Sequence, residues 1–412
     1  MRIVYSIGIY IAKFFLSILA LFNDKLKSGV KGRQQTFDLL NTSLDPNDKT
    51  FWFHCASLGE YEQGLPVFEA LKYRYPTHKI VLTFFSPSGY DVRKNSPIAD
   101  IVVYLPLDTP ANAKRFLDHI HPELTVFVKY EFWPNFLNEL KARNLNTVLI
   151  SAVFRENHSF FKWYGGLMRE ALKAFDYIFT QDEHSKQLLN RIQFTKAIVS
   201  GDTRFDRVSN QLLLDNTIDF IDKFKDNKTC IVFGSTWPDD DVLFLDFVNR
   251  NTNNNLKFII APHNIKSSYI KSIQNQLRVS YLCYSELKDQ SDLRNYNVFI
   301  LDTIGYLSKV YNYADIAYVG GAAGTTGLHN ILEPAVFGIP ILFGKNYKKF
   351  PEAEKLIELG GVSSVKSSKE FTNEMDKLVS NQDYLQQKGQ INKDYISANK
   401  GAVVQILNYI RI

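Results

Sequence analysis

Two carboxylates stand where a strand gives way to a helix. In FWFHCASLGEYEQGLPVFEAL (51–71) the apolar run Phe51-Trp52-Phe53 ends in small residues, and Glu60 follows Gly59 ahead of an apolar-periodic stretch, Leu65, Val67, Phe68 and Leu71. In LTVFVKYE (124–131) Glu131 closes a strand, and Pro134 sits just beyond at a position suited to the first turn of a helix. Two acids at such corners can divide acid and base roles. An acid near a helix start is also favoured by the helix dipole alone. The turn SPSG (86–89) adds a third polar corner.

The second half offers groups for a phosphate. Gly234, Ser235 and Thr236 in GSTWPDDD (234–241) put two hydroxyls ahead of a helix, which suits an anion as well as an ordinary N-cap. YVGGAAGTTGLHNILEPAVFGIP (318–340) carries Gly320, Gly321, Gly324 and Gly327, which let a backbone approach a ligand closely. A helix is expected to start near Asn330 and stop at Gly338, with Asn330 and Glu333 at capping-box spacing. This pattern is neither a nicotinamide-type GxGxxG nor a P-loop; it suits a nucleotide mono- or diphosphate. No metal is expected. His119 and His121 flank a Pro-marked loop, there is no HExxH, and Asp239, Asp240 and Asp241 read as the acidic first turn of a helix.

These corners need sheets to hold them, and the chain is long enough for two or three domains at 412 residues, 45% hydrophobic and 22% charged. Buried strands are expected at 79–85, 101–106, 124–131, 147–153 and 177–181, separated by helical patterns such as 111–120 and 134–144. A second series follows at 229–235, 256–262, 297–302, 316–321 and 339–344. Alternating strands and helices indicate α/β domains with parallel sheets wound on both faces. The expected division is an anchor and basic flank at 1–33, a first domain at 34–205, a helical linker at 206–228 and a second domain at 229–412. Pattern alone does not assign the last helical stretch, about 370–411, to either domain.

Three widely spaced cysteines, Cys55, Cys230 and Cys283, argue against a disulfide framework and fit a reducing compartment. The net charge of +5 resides in residues 1–33, where six basic residues face one Asp. The neutral remainder offers no basic surface for nucleic acid. IVYSIGIYIAKFFLSILALF (3–22) is about as long as a membrane span. Lys13 in its middle is costly at a bilayer centre, so the segment either spans once or lies in the interface with Lys13 reaching out. The basic residues after it place the following domain in the cytoplasm.

Six motifs in order, HCASLGE (54–60), YEFWPN (130–135), SGDTRFD (200–206), FGSTWPDDD (233–241), LDTIGYL (301–307) and LHNILEPAVFGIPILFG (328–344), resemble those of the 3-deoxy-D-manno-octulosonic acid (Kdo) transferases of lipopolysaccharide synthesis. The resemblance runs from the N-terminal apolar segment to about residue 360. It implies a GT-B fold of two Rossmann-like domains facing a cleft, the first for the acceptor and the second for the CMP-sugar, with a membrane-associated N-terminus. It further implies inverting transfer of Kdo from CMP-Kdo to a lipid A precursor at the cytoplasmic face of the inner membrane, with no cofactor and no metal.

By the same resemblance Glu60 is the general base, and Glu131 and Arg204 stabilise the transition state. Pro262, His263, Ile304, Gly305, Tyr306, Asn330 and Glu333 fall on CMP-binding segments. The chain departs from the family's common pattern in having Pro262-His263 for Pro-Arg-His, Arg204 for Lys, and Tyr306 where Glu is frequent. The alternatives are another GT-B nucleotide-sugar enzyme, an epimerase or a different lipid glycosyltransferase, or a non-catalytic membrane-tethered nucleotide-binding protein.

Overall fold

Seven apolar runs in the first half pair into one parallel sheet. They are β1 (Thr50–Cys55), β2 (Lys79–Phe84), β3 (Ile101–Tyr104), β4 (Pro122–Val128), β5 (Thr147–Ala152), β6 (Tyr177–Thr180) and β7 (Ala197–Val199), in the order β3-β2-β1-β4-β5-β6-β7. The structure is a computed structural model describing residues 2–252, 255–288 and 292–412. Being buried on both faces, these strands read as near-continuous apolar runs. In β1, Phe51 and Phe53 enter one core, where Phe53 stacks on Phe68 at 4.2 Å, while Trp52 enters the other against Phe116 and Phe127. His54, next on the Trp52 side, is fully buried.

The winding reverses between β1 and β4. Connections leaving the two strands run to opposite sides, and a crevice opens at their carboxyl ends. Glu60 follows β1 and Glu131 follows β4, so the topology draws together two acids 71 positions apart in the sequence.

A second parallel sheet holds β8 (Thr229–Thr236), β9 (Leu256–Pro262), β10 (Tyr281–Cys283), β11 (Val298–Ile300), β12 (Ile316–Val319), β13 (Ile341–Phe343) and β14 (Val362–Ser364), ordered β10-β11-β9-β8-β12-β13-β14. Here the reversal lies between β8 and β12, the strands that lead into the GST and glycine-rich segments. Phe233, Phe244, Phe258, Tyr318 and Phe371 fill the core.

The chain forms two units, Met1–Arg207 with Lys400–Ile412, and Val208–Asn399. Residues 206–228 do not form one helical connector. Helix Thr203–Gln211 begins in the first unit, and helix Asp219–Lys225 packs in the second, with Ile221 and Phe224 buried. The stretch 370–411 resolves into helices Ser368–Ser380, Gln382–Asn399 and Ala402–Tyr409, the last of which completes the first unit with Ile406 and Ile410 in its core.

The N-terminal helix, Arg2–Leu19, is long and apolar enough to cross a membrane and is almost wholly exposed. Ile3, Ile7, Ile11, Phe14 and Phe15 all face outward. Its first turns are nevertheless tied down. The Tyr5 hydroxyl donates to Asp108 at 2.8 Å, and Ser6 and Arg2 bond to Asn135. The helix that follows, Asp24–Ser43, is anchored to the same unit: Arg33 donates to the carbonyls of Phe85 (2.6 Å) and Leu105 (3.2 Å), and Thr36 to that of Tyr104.

Candidate active site

In the first unit Ser57 caps helix Leu58–Arg74, and the Glu60 carboxylate accepts the Ser57 backbone N–H at 3.0 Å. Glu60 thus fills the structural role open to any acid in a capping box. Its electrostatics are less ordinary. Half-buried, it has its pKa raised above the usual carboxylate range, first by desolvation and then by the Glu131 charge; His54 and the Ser57 and Ala56 amides act against the shift. A carboxylate whose proton affinity rises towards neutrality makes a better general base. A Cβ at Gly59 would meet nothing within 4 Å. Packing does not demand the glycine there, and it leaves open space beside the acid.

Glu131 is held from two sides. The indole N–H of Trp133 donates to it at 2.8 Å, and His54 Nε2 lies 3.2 Å away. Arg204 wraps its Nε and Nη2 around one oxygen of the buried Asp202 at 2.8 and 2.7 Å. Its segment is joined to the Glu60 helix by the Thr203 hydroxyl, which donates to the carbonyl of Gln63 at 2.6 Å. Glu60 and Glu131 are therefore close enough to influence each other's charge, whereas Arg204 enters as half of an ion pair.

A pocket of about 460 Å³ opens between the first two helices and reaches the SPSG corner at Ser86 and Pro87. Lys13, Lys25 and Arg33 surround a wall that includes Leu16, Leu26 and Phe37.

In the second unit the sequence-predicted groups lie at or beyond the carboxyl ends of β8 (Gly234, Ser235, Thr236), β9 (Pro262, His263), β11 (Ile304, Gly305, Tyr306) and β12 (Asn330, Glu333). β8 runs one residue further than expected, through Thr236, with Ser235 at φ +54 in an irregular register against β9. The His263 N–H donates to the Thr236 carbonyl (3.0 Å), and the Gly320 N–H to that of Gly234 (2.9 Å). Tyr311 packs over Gly234, where a Cβ would fall 1.9 Å from its hydroxyl. Burial, and after it the Glu333 charge, pushes the Tyr311 hydroxyl pKa well up. Gly305 takes the left-handed conformation at φ +93, Ile304 is exposed, and Tyr306 leans on Tyr284 and Phe220.

The helix expected from Asn330 to Gly338 is only the single turn Leu332–Ala335. One turn aligns too few peptide dipoles to act as an anion site by itself. Nor do Asn330 and Glu333 make a reciprocal capping box: the Leu332 N–H donates to Asn330 Oδ1, and the Asn330 amide donates to the Glu333 carboxylate, both at 3.2 Å.

Two arrangements here join residues that lie in separate motifs of the sequence. Trp237, His263 and His329 stack, with centroids 4.7 Å apart for Trp237–His263 and 4.3 Å for the two imidazoles, and the Trp237 N–H donates to His329 Nε2 at 3.0 Å. Desolvation lowers the pKa of both rings, that of His329 to about 4. The fully buried Asp240 accepts from the Trp237 backbone N–H (2.9 Å), the Tyr318 hydroxyl (2.7 Å) and the Gly321 N–H (2.8 Å), pinning the glycine-rich loop to the start of helix Pro238–Arg250. Among the described residues no three His, Cys, Asp or Glu side chains are grouped to hold a metal ion.

Residues 31–207 match the family described as 3-Deoxy-D-manno-octulosonic-acid transferase (kdotransferase). A 3-deoxy-D-manno-octulosonic acid transferase of Haemophilus influenzae is 25% identical over 410 residues, 96% of this chain and 94% of that protein. Over residues 31–207 this chain carries the domain of the Kdo transferase family. A relative of the same name from Chlamydophila psittaci is 28% identical over 321 residues, 75% of this chain and 72% of its own length. These matches make the chain a glycosyltransferase, with the GT-B architecture visible in its two parallel seven-stranded sheets. The UDP-GlcNAc 2-epimerase of Neisseria meningitidis has the same fold, with a TM-score of 0.62 at 17% identity over 88% of this chain and 98% of that one.

Proposed function

We propose that this chain moves Kdo from CMP-Kdo to a hydroxyl of a lipid A precursor, with inversion at the anomeric carbon. The observation that carries the reading is Glu60, an acid of raised proton affinity at the switch-point corner of a first unit that matches the family. The acceptor O–H bond breaks towards Glu60 as its oxygen bonds to the anomeric carbon, and the bond from that carbon to the CMP phosphate breaks with its electron pair. CMP is a good leaving group once its charge is held, so a dedicated acid is dispensable. Backbone N–H groups and hydroxyls at the ends of β8 and β12 suit that task. The three cations and apolar wall of the pocket between the first two helices suit a phosphorylated, acylated acceptor. Mass spectrometry after incubating the protein with CMP-Kdo and a lipid A precursor in EDTA tests this. A product heavier by Kdo is expected; unchanged acceptor, or activity only after a metal is added, overturns the corresponding part.

Glu333 belongs to the donor site in this reading, accepting hydrogen bonds from the ribose hydroxyls. Hydrogen bonds to a charged acceptor are worth about 1.5–3 kcal/mol, so Glu333→Gln is expected to weaken CMP about tenfold or more. Gln still accepts from the Asn330 amide, so the melting temperature stays nearly unchanged. Calorimetric titration of CMP decides it, and equal affinities remove Glu333 from the site.

The membrane reading favours a helix lying in the interface over one that spans. A spanning Arg2–Leu19 would carry Tyr5 and Ser6 away from Asp108 and Asn135, their partners in the same unit that anchors residues 24–43. Lying flat, it keeps those bonds, buries Phe14 and Phe15 and lets Lys13 reach the headgroups of the cytoplasmic leaflet. Replacing Phe14 and Phe15 with Lys touches no packed residue and is expected to shift the protein from the membrane to the soluble fraction. Undiminished membrane recovery means attachment resides elsewhere.

A further inference from the structure

His54 is fully buried, yet both of its ring nitrogens have partners. On one side Nδ1 lies 2.8 Å from the Thr83 hydroxyl, which itself accepts from the Trp52 indole N–H at 2.8 Å. On the other, Nε2 lies 3.2 Å from Glu131 Oε2 and 3.0 Å from the Trp133 indole nitrogen.

One proton arrangement with a neutral ring gives Glu131 a donor from both sides. Trp52 donates to Thr83, Thr83 donates to Nδ1, and Nε2–H and the Trp133 N–H both donate to Glu131. The other tautomer is also bonded, with the Trp133 indole N–H on Nε2 at 3.0 Å and the Thr83 proton on the Phe53 carbonyl at 3.3 Å, but it points a bare Nε2 lone pair at a carboxylate oxygen 3.2 Å away. The partner of one imidazole nitrogen fixes the state of the other. Trp52 and Thr83 are buried on neighbouring strands, so the relay is rigid from the core outward. The relay reaches the surface at Glu131, with 12% of its side chain exposed.

We propose that His54 is a positioning residue, which through Nε2–H fixes the Glu131 carboxylate in the orientation that stabilises the transition state. The inference rests on the transferase reading above for the role of Glu131. Its geometric content, an imidazole held as the Nε2–H tautomer by Thr83 and aimed at Glu131, stands independently of that reading. A buried histidine kept only for packing would be indifferent to which nitrogen carries the proton.

Two near-isosteres separate these roles. The Gln amide reaches about as far as Nε2 and can still donate to Glu131, whereas Asn reaches only as far as Nδ1 and keeps Thr83 alone. His54→Asn is expected to lower kcat for Kdo transfer about 10- to 100-fold, the usual cost of a misplaced catalytic group, with the KM for CMP-Kdo nearly unchanged. His54→Gln is expected to retain most of the rate. In a Glu131→Gln background, His54→Asn is expected to add nothing. Equal losses in both variants that follow melting temperature, or losses that multiply with Glu131→Gln, overturn the proposal. If the wild-type chain moves no Kdo, the transferase reading fails, and a second measurement decides the present one. In histidine-labelled protein, with the His54 signal assigned from its disappearance in His54→Gln, nitrogen NMR is expected to find a protonated Nε2 and a bare Nδ1. The reverse pattern overturns the proposal.

Discussion

Glu60→Gln is expected to lower turnover about 100-fold or more, in keeping with the ~10²–10⁴-fold that a general base supplies, while the protein folds and binds CMP normally. The capping geometry makes the experiment clean. The Glu60 carboxylate accepts the Ser57 N–H, and a Gln oxygen accepts it equally well, so the helix keeps its start and only the proton acceptor is lost. Retention of more than about a tenth of the wild-type rate would show that another group takes the proton. The wild-type rate carries a companion signature. Desolvation and Glu131 raise the Glu60 pKa, and a base works only when deprotonated. Activity should therefore climb with pH along a limb lying above the ordinary carboxylate range, and Glu131→Gln should move that limb to lower pH by removing the neighbouring charge.

The largest expected effect on stability lies in the second unit. Asp241 is buried, accepts the Tyr269 hydroxyl at 3.1 Å and has its pKa raised to about 7, chiefly by burial, with the neighbouring Asp240 charge adding to the shift. In the unfolded chain it titrates at about 4. Between those values the folded protein keeps a proton that the unfolded chain has lost, so stability must fall as pH rises through this window and level off above it. The full span is on the order of 3–4 kcal/mol. Asp241→Asn is neutral throughout and still accepts from Tyr269, so it should remove most of the slope and be more stable than wild type at pH 8. Urea midpoints at pH 5 and pH 8 measure this; parallel behaviour of the two proteins would mean that Asp241 is ionised in the fold.

The long strands were legible because burial on both faces leaves an unbroken apolar run. The runs at 79–85, 147–153 and 256–262 coincide with β2, β5 and β9 to within a residue. The three-residue edge strands β7, β10 and β14 were not. Each pairs on one side only, and SS in β14 or the half-exposed end of β7 gives no periodic signal. Glu60 and Glu131 could be singled out because they interrupt apolar patterns at strand ends.

His54, Trp237, His329 and Asp240 offer no such local cue. Each matters through a partner far away in the chain: His54 through Thr83 and Glu131, Asp240 through Tyr318 and Gly321. Only the register of the sheets supplies those partners. The helix expected at 330–338 illustrates the opposite error. Its composition permits more turns than Pro334 and the left-handed Gly338 allow.

The Asp206 carboxylate accepts the N–H groups of Gly401 and Ala402 at 2.9 and 3.0 Å. Topologically, the second unit is thus an insertion whose entry and exit are pinned side by side. A fragment ending at residue 207 would lack the helix that places Ile406 and Ile410 in its core, and would expose the apolar seat they occupy. Excising 208–399 and joining 207 to 400 through a few glycines bridges a gap that the native fold has already closed. That splice, rather than a truncation, is the route to an isolated first unit in which the Glu60 corner, the His54 relay and the exposed apolar N-terminal helix can be dissected without the second unit.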